Sequence, residues 1–125
     1  MKGEKNILVI DDDSGIGEML KILLELNEYS VFVSENPDEA ETLIEKNSID
    51  LVLLDKLISG VNGVEVCERL KNNEATAHIP ILMMSALHEA GEKCRNAGAN
   101  DFIAKPFDMD ELLEKIRGLL DQEPQ

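Results

Sequence analysis

Three consecutive carboxylates, Asp11, Asp12 and Asp13, follow the apolar residues 7–10. Adjacent acids repel one another, so a folded protein that gathers them needs a positive charge nearby. Carboxylate oxygens are hard ligands of the kind that Mg²⁺ takes, together with a carbonyl and several waters. The triplet alone is equally consistent with a turn and a helix cap, in which Asp13 or Ser14 would serve as the cap.

Three further polar residues, Asp55, Ser85 and Lys105, end or follow later apolar runs. Taken singly, Ser85 is typical of a turn or cap, and Lys105 is typical of an exposed surface. Together with the acid triplet they would hold a divalent cation and a phosphoryl group. Asp55 would be the nucleophilic carboxylate, and the hydroxyl and ammonium groups would stabilise the transferred oxygens. Their joint placement therefore favours phosphoryl chemistry.

These side chains need a scaffold, and the sequence alternates short apolar runs with amphipathic segments. Strands are predicted over residues 7–10, 31–33, 51–54, 79–84 and 102–104. Continuous apolar strands indicate a sheet buried on both faces, and their alternation with helices indicates parallel strands with right-handed crossovers. Ligands of such open sheets bind beyond the carboxyl ends of the strands, where the polar residues stand. The pattern predicts an α/β open sandwich of five strand-helix repeats.

Helix-start signals agree with this division. Asn36, Pro37 and Glu39 combine an N-cap, a first-turn proline and a capping-box acid, and Asp108 with Glu111 repeats the box. Helical spacing is clearest in the first and last segments, whose apolar positions are Ile16, Met19, Leu20, Leu23, Leu24 and Leu112, Leu113, Ile116, Leu119, Leu120. Glycines weaken the helix prediction in the first turn of helix one and inside the predicted fourth helix.

The composition narrows the class of protein. Twelve Lys and Arg residues against 26 Asp and Glu residues give a net charge of −14, which would repel nucleic acid and anionic membrane surfaces. The widely spaced Cys67 and Cys94 indicate small core residues in a reducing compartment. Without a leader or spanning segment, we expect a soluble cytoplasmic protein of one domain, residues 1–125, with a flexible tail over 121–125.

Five motifs together resemble a known family over essentially the whole chain: "VIDDD", "DLVLLD", "VNGVEVCERLK", "IPILMMSA" and "NAGANDFIAKPF". Their order and spacing are similar to those of the receiver domains of bacterial two-component response regulators, including the single-domain receivers of chemotaxis. The resemblance implies a flavodoxin-like (βα)5 fold, with a five-stranded parallel sheet of order 2-1-3-4-5 and helices on both faces.

The resemblance also implies a metal site. Matching positions make Asp55 the phosphoacceptor and a metal ligand, Asp12 a direct ligand, Leu57 a ligand through its backbone carbonyl, and Asp11 a ligand through a bound water. The implied cofactor is Mg²⁺, with Mn²⁺ as an alternative.

Three other matches concern the phosphoryl group and its signal. Ser85 matches the switch hydroxyl, Phe102 the switch aromatic that follows it inward, and Lys105 the lysine that pairs with the phosphoryl group. The family often has a cis peptide bond between Lys105 and Pro106. The chain departs from the usual pattern at Lys56, Ser59 and Asn62.

The implied partners are a histidine kinase or histidine phosphotransfer protein, and an output protein or domain that binds the face of the fourth helix, fifth strand and fifth helix. The chemistry would be autocatalytic transfer and slow self-dephosphorylation, so we do not expect a turnover enzyme. One alternative is a degenerate receiver that binds proteins independently of phosphorylation. Another is a Mg²⁺-dependent phosphohydrolase, which would need an acid where Leu57 stands.

Overall fold

A computed structural model describes residues 5–55, 57–58, 61–86 and 91–121. Its strands are β1 (Asn6–Ile10), β2 (Ser30–Ser34), β3 (Leu51–Asp55), β4 (Leu57–Ile58), β5 (Val61–Asn62), β6 (Ile81–Ser85) and β7 (Asp101–Ala104). Five of them form a parallel sheet in the order β2-β1-β3-β6-β7, and β4 pairs with β5 in a separate antiparallel hairpin. Numbered among the five main strands alone, this is the predicted order 2-1-3-4-5.

Helices cover both faces of the sheet, as predicted. They are α1 (Ser14–Leu26), α2 (Ala40–Asn47) after a 3-10 turn at Pro37–Glu39, α3 (Gly63–Lys71), α4 (Gly91–Asn96) and α5 (Met109–Leu120). One apolar layer joins the sheet to α2, α3 and α4, and the other joins it to α1 and α5. No helix in the described ranges is long and apolar enough to cross a membrane.

The predicted fourth strand differs from the structure at its beginning. Residues 79 and 80 lie outside β6, since Ile79 donates its N–H to Thr76 in a turn and Pro80 has no N–H to donate. The carbonyl of Pro80 still accepts from the N–H of Val52, so the chain enters the sheet in register. The β4–β5 hairpin was not predicted. Its last residue, Asn62, caps α3 by accepting from the N–H of Val64.

The predicted capping box after β2 is wrong in detail. Asn36 does cap the 3-10 turn by accepting from the N–H of Asp38. The carboxylate of Glu39, however, accepts from the hydroxyl of Ser34, and that hydroxyl accepts from the N–H of Asn36. The hydroxyl of the buried Ser34 thus takes the place of the direct hydrogen bond from the N–H of Asn36 to the carboxylate of Glu39 that a capping box would contain. At the start of α5, Asp108 acts as the N-cap.

Both cysteines are buried thiols, as predicted, and burial raises the pKa of the Cys67 thiol to about 11. Within the fourth helical segment Cys94 is fully buried, whereas residues 87–90 lie outside the described residues. Asp121, the first residue of the predicted tail, is the C-cap of α5, and its N–H donates to the carbonyl of Arg117. Residues 122–125 lie outside the described part.

A glycine in the first turn of α1 has a packing role. A Cβ atom at Gly17 would lie 2.9 Å from Cγ1 of Val33 on β2, closer than real Cβ contacts allow. Val33 has a stiff, β-branched side chain that does not easily give way. Gly17 therefore allows α1 to approach the edge of the sheet. Gly118 in α5 is a matched case without this constraint, since a Cβ there would meet nothing within 4 Å.

We predict opposite effects of alanine at these two helical glycines. Gly118→Ala should raise the free energy of unfolding by about 0.5–1 kcal/mol through helix propensity. Gly17→Ala should lower it by about 1 kcal/mol, because overpacking costs more than propensity returns. Urea denaturation measures both, and adding Val33→Ala to Gly17→Ala should recover part of the loss. Equal stabilisation by both alanines would contradict the packing role of Gly17.

Candidate functional site

The register of the sheet brings the predicted residues to one edge. Ile10 of β1 pairs with Leu54 of β3, so Asp11 and Asp55 each follow directly, on strands about 4.8 Å apart. On the next strand Met84 pairs with Asp55, and Ser85 is one residue further. The N–H of Asp11 donates to the carbonyl of Ser34, which continues the ladder to β2. The carboxyl ends of the strands therefore form one polar edge.

Side-chain alternation divides this edge between the two faces of the sheet. Asp11 and Asp55 continue the rows that face α1 and α5, and Lys105 continues the row of Ile103 on the same side. Ser85 instead continues the row of Met83, which faces α4. The acids and the lysine thus share one face, while the hydroxyl-bearing residue is placed toward the other.

The three acids of the triplet have different surroundings. Asp11 is fully buried: its Oδ1 accepts from the N–H of Asp13 at 2.9 Å, and its Oδ2 pairs with the ammonium of Lys105 at 3.0 Å. Asp13 is exposed and is the N-cap of α1, where its Oδ1 accepts from the N–H groups of Gly15 and Ile16. Asp12 lies between them and is exposed. The cap interpretation is correct for Asp13.

Lys105 is the positive charge that the acids require. Besides Asp11, its ammonium lies 3.5 Å from Oδ1 of Asp55, and its side chain is only 16% exposed. Burial alone would lower the pKa of Lys105, but the hydrogen bond and charge of Asp11 and the charge of Asp55 together raise it. The lysine is therefore an ammonium at neutral pH. The backbone N–H of Lys105 donates to the carbonyl of Ser85 at 2.7 Å. The peptide bond between Lys105 and Pro106 is cis, as the resemblance implied.

Asp11, Asp12 and Asp55 form a set that fits a divalent cation. One carboxylate oxygen from each lies within 4.8 Å of the others. Octahedral Mg²⁺ binds hard oxygens at about 2.1 Å, so opposite ligands are about 4.2 Å apart, and it usually retains several waters. Small side-chain movements would satisfy this geometry. The chemistry and spacing of the donors therefore fit the predicted metal.

The remaining predicted residues lie around this cluster. Ser85 is buried at the end of β6, and Phe102 is buried in the layer under α4. A Cβ at Gly91 of α4 would lie 3.3 Å from the Phe102 ring, so the helix passes close over it. Leu57 begins the β4–β5 hairpin two residues after Asp55. Lys56 and Ser59 lie outside the described residues.

Comparison with known proteins decides the family. Residues 7–117 match the model of the response regulator receiver domain. The chain belongs to this family. It is 39% identical over 116 residues to the DNA-binding dual master transcriptional regulator RpaA of Synechocystis sp., an alignment that covers 91% of this chain and 48% of that protein.

Two other relatives agree. The phosphate regulon transcriptional regulatory protein PhoB of Pseudomonas aeruginosa is 38% identical over 118 residues, covering 93% of this chain and 52% of that protein. The BeF3-activated N-terminal receiver domain of Klebsiella pneumoniae RstA superposes with a TM-score of 0.86 at 28% identity, covering 94% of this chain and all of that one. This receiver spans about half the length of the curated relatives it matches.

An apolar groove beside the acid cluster was not predicted from the sequence. It has a volume of about 390 Å³ and is lined by Ile16, Met19, Ala86, Lys105, Pro106 and Phe107. Met19 is one of the apolar positions with helical spacing in α1, yet it is 42% exposed, and Ile22 and Leu26 continue its stripe at 60% and 75% exposure. The exposure of this stripe could have been predicted from the sequence, because positions 19, 22 and 26 lie well to one side of the buried positions 20 and 24 on a helical wheel.

The different surroundings of the acids lead to a prediction for Asp13. Asp13→Ala should lower the free energy of unfolding by about 1 kcal/mol, because two N–H groups of α1 lose their acceptor. Asp13→Asn keeps an acceptor oxygen at the same place and should retain most of the stability. Thermal or urea denaturation measures both variants. A loss of equal size in the two would show that charge, and not capping, makes the contribution.

Proposed function

We propose that this receiver accepts a phosphoryl group on Asp55, with Mg²⁺, from a phosphohistidine on a histidine kinase or phosphotransfer protein. The observation that carries the proposal is the cluster itself. Asp55 is nearly buried, its carboxylate lies 3.5 Å from the Lys105 ammonium, and it shares a metal-compatible oxygen set with Asp11 and Asp12. This arrangement combines a nucleophile, a fixed cation and ligands for a second cation.

The proposed transfer is a substitution at phosphorus. A carboxylate oxygen of Asp55 forms a bond to phosphorus, the bond from phosphorus to the histidine nitrogen breaks, and the electron pair passes to the imidazole, which takes a proton from solvent. Lys105 pairs with the phosphoryl oxygens and offsets their charge. Bound Mg²⁺ would neutralise further charge on the transferred group. Water later attacks the acyl phosphate, so the protein is its own substrate and not a turnover enzyme.

Ser85 is proposed to report the phosphoryl group to the opposite face. A hydroxyl gains a charge-assisted hydrogen bond only when phosphoryl oxygens are present, and such a differential contact is what shifts a conformational equilibrium. Ser85 ends the row that faces α4, the row that also packs near Phe102. The proposed signal therefore passes from Asp55 through Ser85 to Phe102 and α4.

We place the phosphodonor in the apolar groove beside Lys105. The donor histidine must reach Asp55, so its helix has to cover the surface that borders the acid cluster. A phosphohistidine is anionic and the receiver carries a net charge of −14, so long-range electrostatics oppose the encounter. Apolar contact with Met19, Ile22 and the groove would supply the attraction.

The output partner is proposed to bind the face formed by α4, β7 and α5, which is separate from the groove. The relatives RpaA and PhoB are described as transcriptional regulators. For this receiver we propose no direct contact with nucleic acid, because its net charge is −14, and no contact with a membrane. We further propose that it acts in the cytoplasm, where its kinase would deliver the phosphoryl group.

The degenerate-receiver alternative is not favoured. Burying a carboxylate is costly unless a positive charge is paired with it. A scaffold that binds proteins independently of phosphorylation has no need for such a buried pair. Here Asp11, Asp12, Asp55, Ser85 and Lys105 are all present at one edge of the sheet.

The direct test is phosphoryl incorporation. Incubation with acetyl phosphate and Mg²⁺ should add one phosphoryl group to the wild type, as measured by intact mass, and Asp55→Asn should add none. Beryllofluoride, which mimics the phosphoryl group on that carboxylate, should change amide NMR shifts only when Asp55 is present. Asp38→Asn is the control, because Asp38 is an exposed acid outside the cluster. Unreduced incorporation in Asp55→Asn would overturn the assignment.

The donor surface has its own test. With a purified kinase that phosphorylates the wild type as donor, Ile22→Ser should slow phosphoryl transfer by about tenfold or more. This loss is expected because burying an isoleucine contributes about 1.5–3 kcal/mol. The variant should react normally with acetyl phosphate, which needs no docking surface. Val33→Ser is the matched control, since Val33 is a half-exposed apolar residue on the β2 side of α1. Equal slowing by both variants would contradict donor binding at the stripe.

A further inference from the structure

We propose that Cys67 of α3 and Cys94 of α4 form an oxidation-sensitive thiol pair, and that a disulfide between them links α4 to its neighbouring helix. The proposed function uses neither thiol. The consequence of the disulfide for signalling rests on that function, because α4 is the helix proposed to respond to the phosphoryl group. Formation of the disulfide itself does not depend on it.

The two thiols lie at the contact between neighbouring helices. Both side chains are fully buried in one apolar layer, on the face of the sheet that carries α2, α3 and α4. Helices α3 and α4 pack directly against each other. The Cys67 thiol donates to the carbonyl of Ala97 at 3.6 Å, and the N–H of Ala97 donates to the carbonyl of Cys94 at 3.2 Å. The thiol on α3 therefore reaches the helical turn that begins at Cys94.

The charges around Cys67 agree with this placement. Burial raises the pKa of the Cys67 thiol to about 11, and the nearby Cys94 adds to that rise. The ammonium of Lys71, one turn further along α3, acts in the opposite direction. It is held in place by the carbonyls of Ala77 and Ile79. Cys67 is therefore a protonated thiol at neutral pH, and the packed layer shields it from large reagents.

The proposed oxidant is a peroxide, which is small enough to enter the layer during local openings. The sulfur of one cysteine forms a bond to a peroxide oxygen, the O–O bond breaks, and the departing hydroxide takes the thiol proton and leaves as water. The product is a sulfenic acid. The second sulfur then bonds to the first, the S–O bond breaks, and a second water leaves. The two thiols lose two electrons, and the peroxide gains them.

A disulfide would restrain α4 against α3. Its two Cα atoms must lie within roughly 4.4–6.8 Å of each other, so the helices could not separate at that turn. The ring of Phe102 lies under the same helix, 3.3 Å from where a Cβ at Gly91 would stand. Under the proposed function α4 responds to a displacement of Phe102, and the disulfide would oppose that response. Oxidation would therefore weaken the signal, and a thiol reductant would restore it.

Thiol protection after oxidation tests the pair. The folded receiver is treated with hydrogen peroxide, then unfolded and alkylated with iodoacetamide, and its intact mass is measured. Cys67 and Cys94 are the only cysteines of the chain, so an intramolecular disulfide can join no others. We expect a monomer that takes up no iodoacetamide until dithiothreitol is added, and two alkyl groups after that. Higher oxidation of sulfur would not be reversed by the reductant.

Exchange of two neighbouring residues on α3 gives the matched control. Val66 is buried beside Cys67, so the double variant Val66→Cys and Cys67→Val keeps the composition of the layer. It turns the thiol by about 100° around the helix. Disulfide formation should be slower by about tenfold or more in this variant, because cysteines whose Cβ atoms point apart cannot be joined without backbone movement.

Beryllofluoride separates this inference from the proposed function. In the oxidised receiver the amide shifts that beryllofluoride causes in residues 92–96 should be largely lost, and reduction should restore them. Cys67→Ala, treated with the same peroxide, should keep these shifts, which controls for oxidation of methionine.

Three results would each overturn the inference: full alkylation of the peroxide-treated wild type without reductant, equally fast disulfide formation in the exchanged variant, or an undiminished beryllofluoride response in the disulfide form. Absence of beryllofluoride shifts in the reduced wild type would instead overturn the proposed function. The thiol pair would then still be decided by the alkylation measurement.

Discussion

A fully buried carboxylate next to an ammonium is the constraint on which the site depends. Asp11 has no access to solvent, and a buried charge is tolerated only when it is paired and hydrogen-bonded. Lys105 supplies the charge at 3.0 Å and the backbone of Asp13 supplies the hydrogen bond. Since Asp11 follows β1 and Lys105 follows β7, this one pair ties the second strand of the sheet to its far edge.

The order of the strands brings a second acid to the same ammonium. Asp55 ends β3, which lies next to β1, so its carboxylate comes within 3.5 Å of the same ammonium. Acids on two adjacent strands repel each other unless a cation lies between them. A parallel sheet makes such a cluster possible because its strands all end at one edge.

Much of this arrangement follows from the sequence, and the failures have physical causes. Apolar runs and their alternation with helices predicted a parallel sheet with polar residues at its carboxyl edge, whereas the strand order followed from the resemblance to the family. From the residues alone the triplet was equally consistent with a turn and a helix cap, and the separate metal roles of Asp11 and Asp12 came from the resemblance to the family. The hydroxyl of Ser34 replaced the predicted box at Asn36, since another local side chain competed for the same two groups. Met19 fits the apolar period of α1 and is nevertheless exposed, because the period of the apolar residues does not say how wide the buried face of a helix is.

The two faces of the sheet have different tasks under the proposed function, and α4 is the element best suited to respond. Helix α4 is held against the sheet by packing of its buried residues. Cys94 and the ring of Phe102 supply that packing, and Gly91 lets the helix approach the ring closely. A small displacement of Phe102 therefore changes the support of α4 directly. By contrast, α5 has twelve residues, of which four are buried against the sheet, and it would hold its position. Under the proposed function a phosphoryl group at the carboxyl edge would thus act on the face that carries α4, while the face with α1 and α5 keeps the acids and the lysine in place.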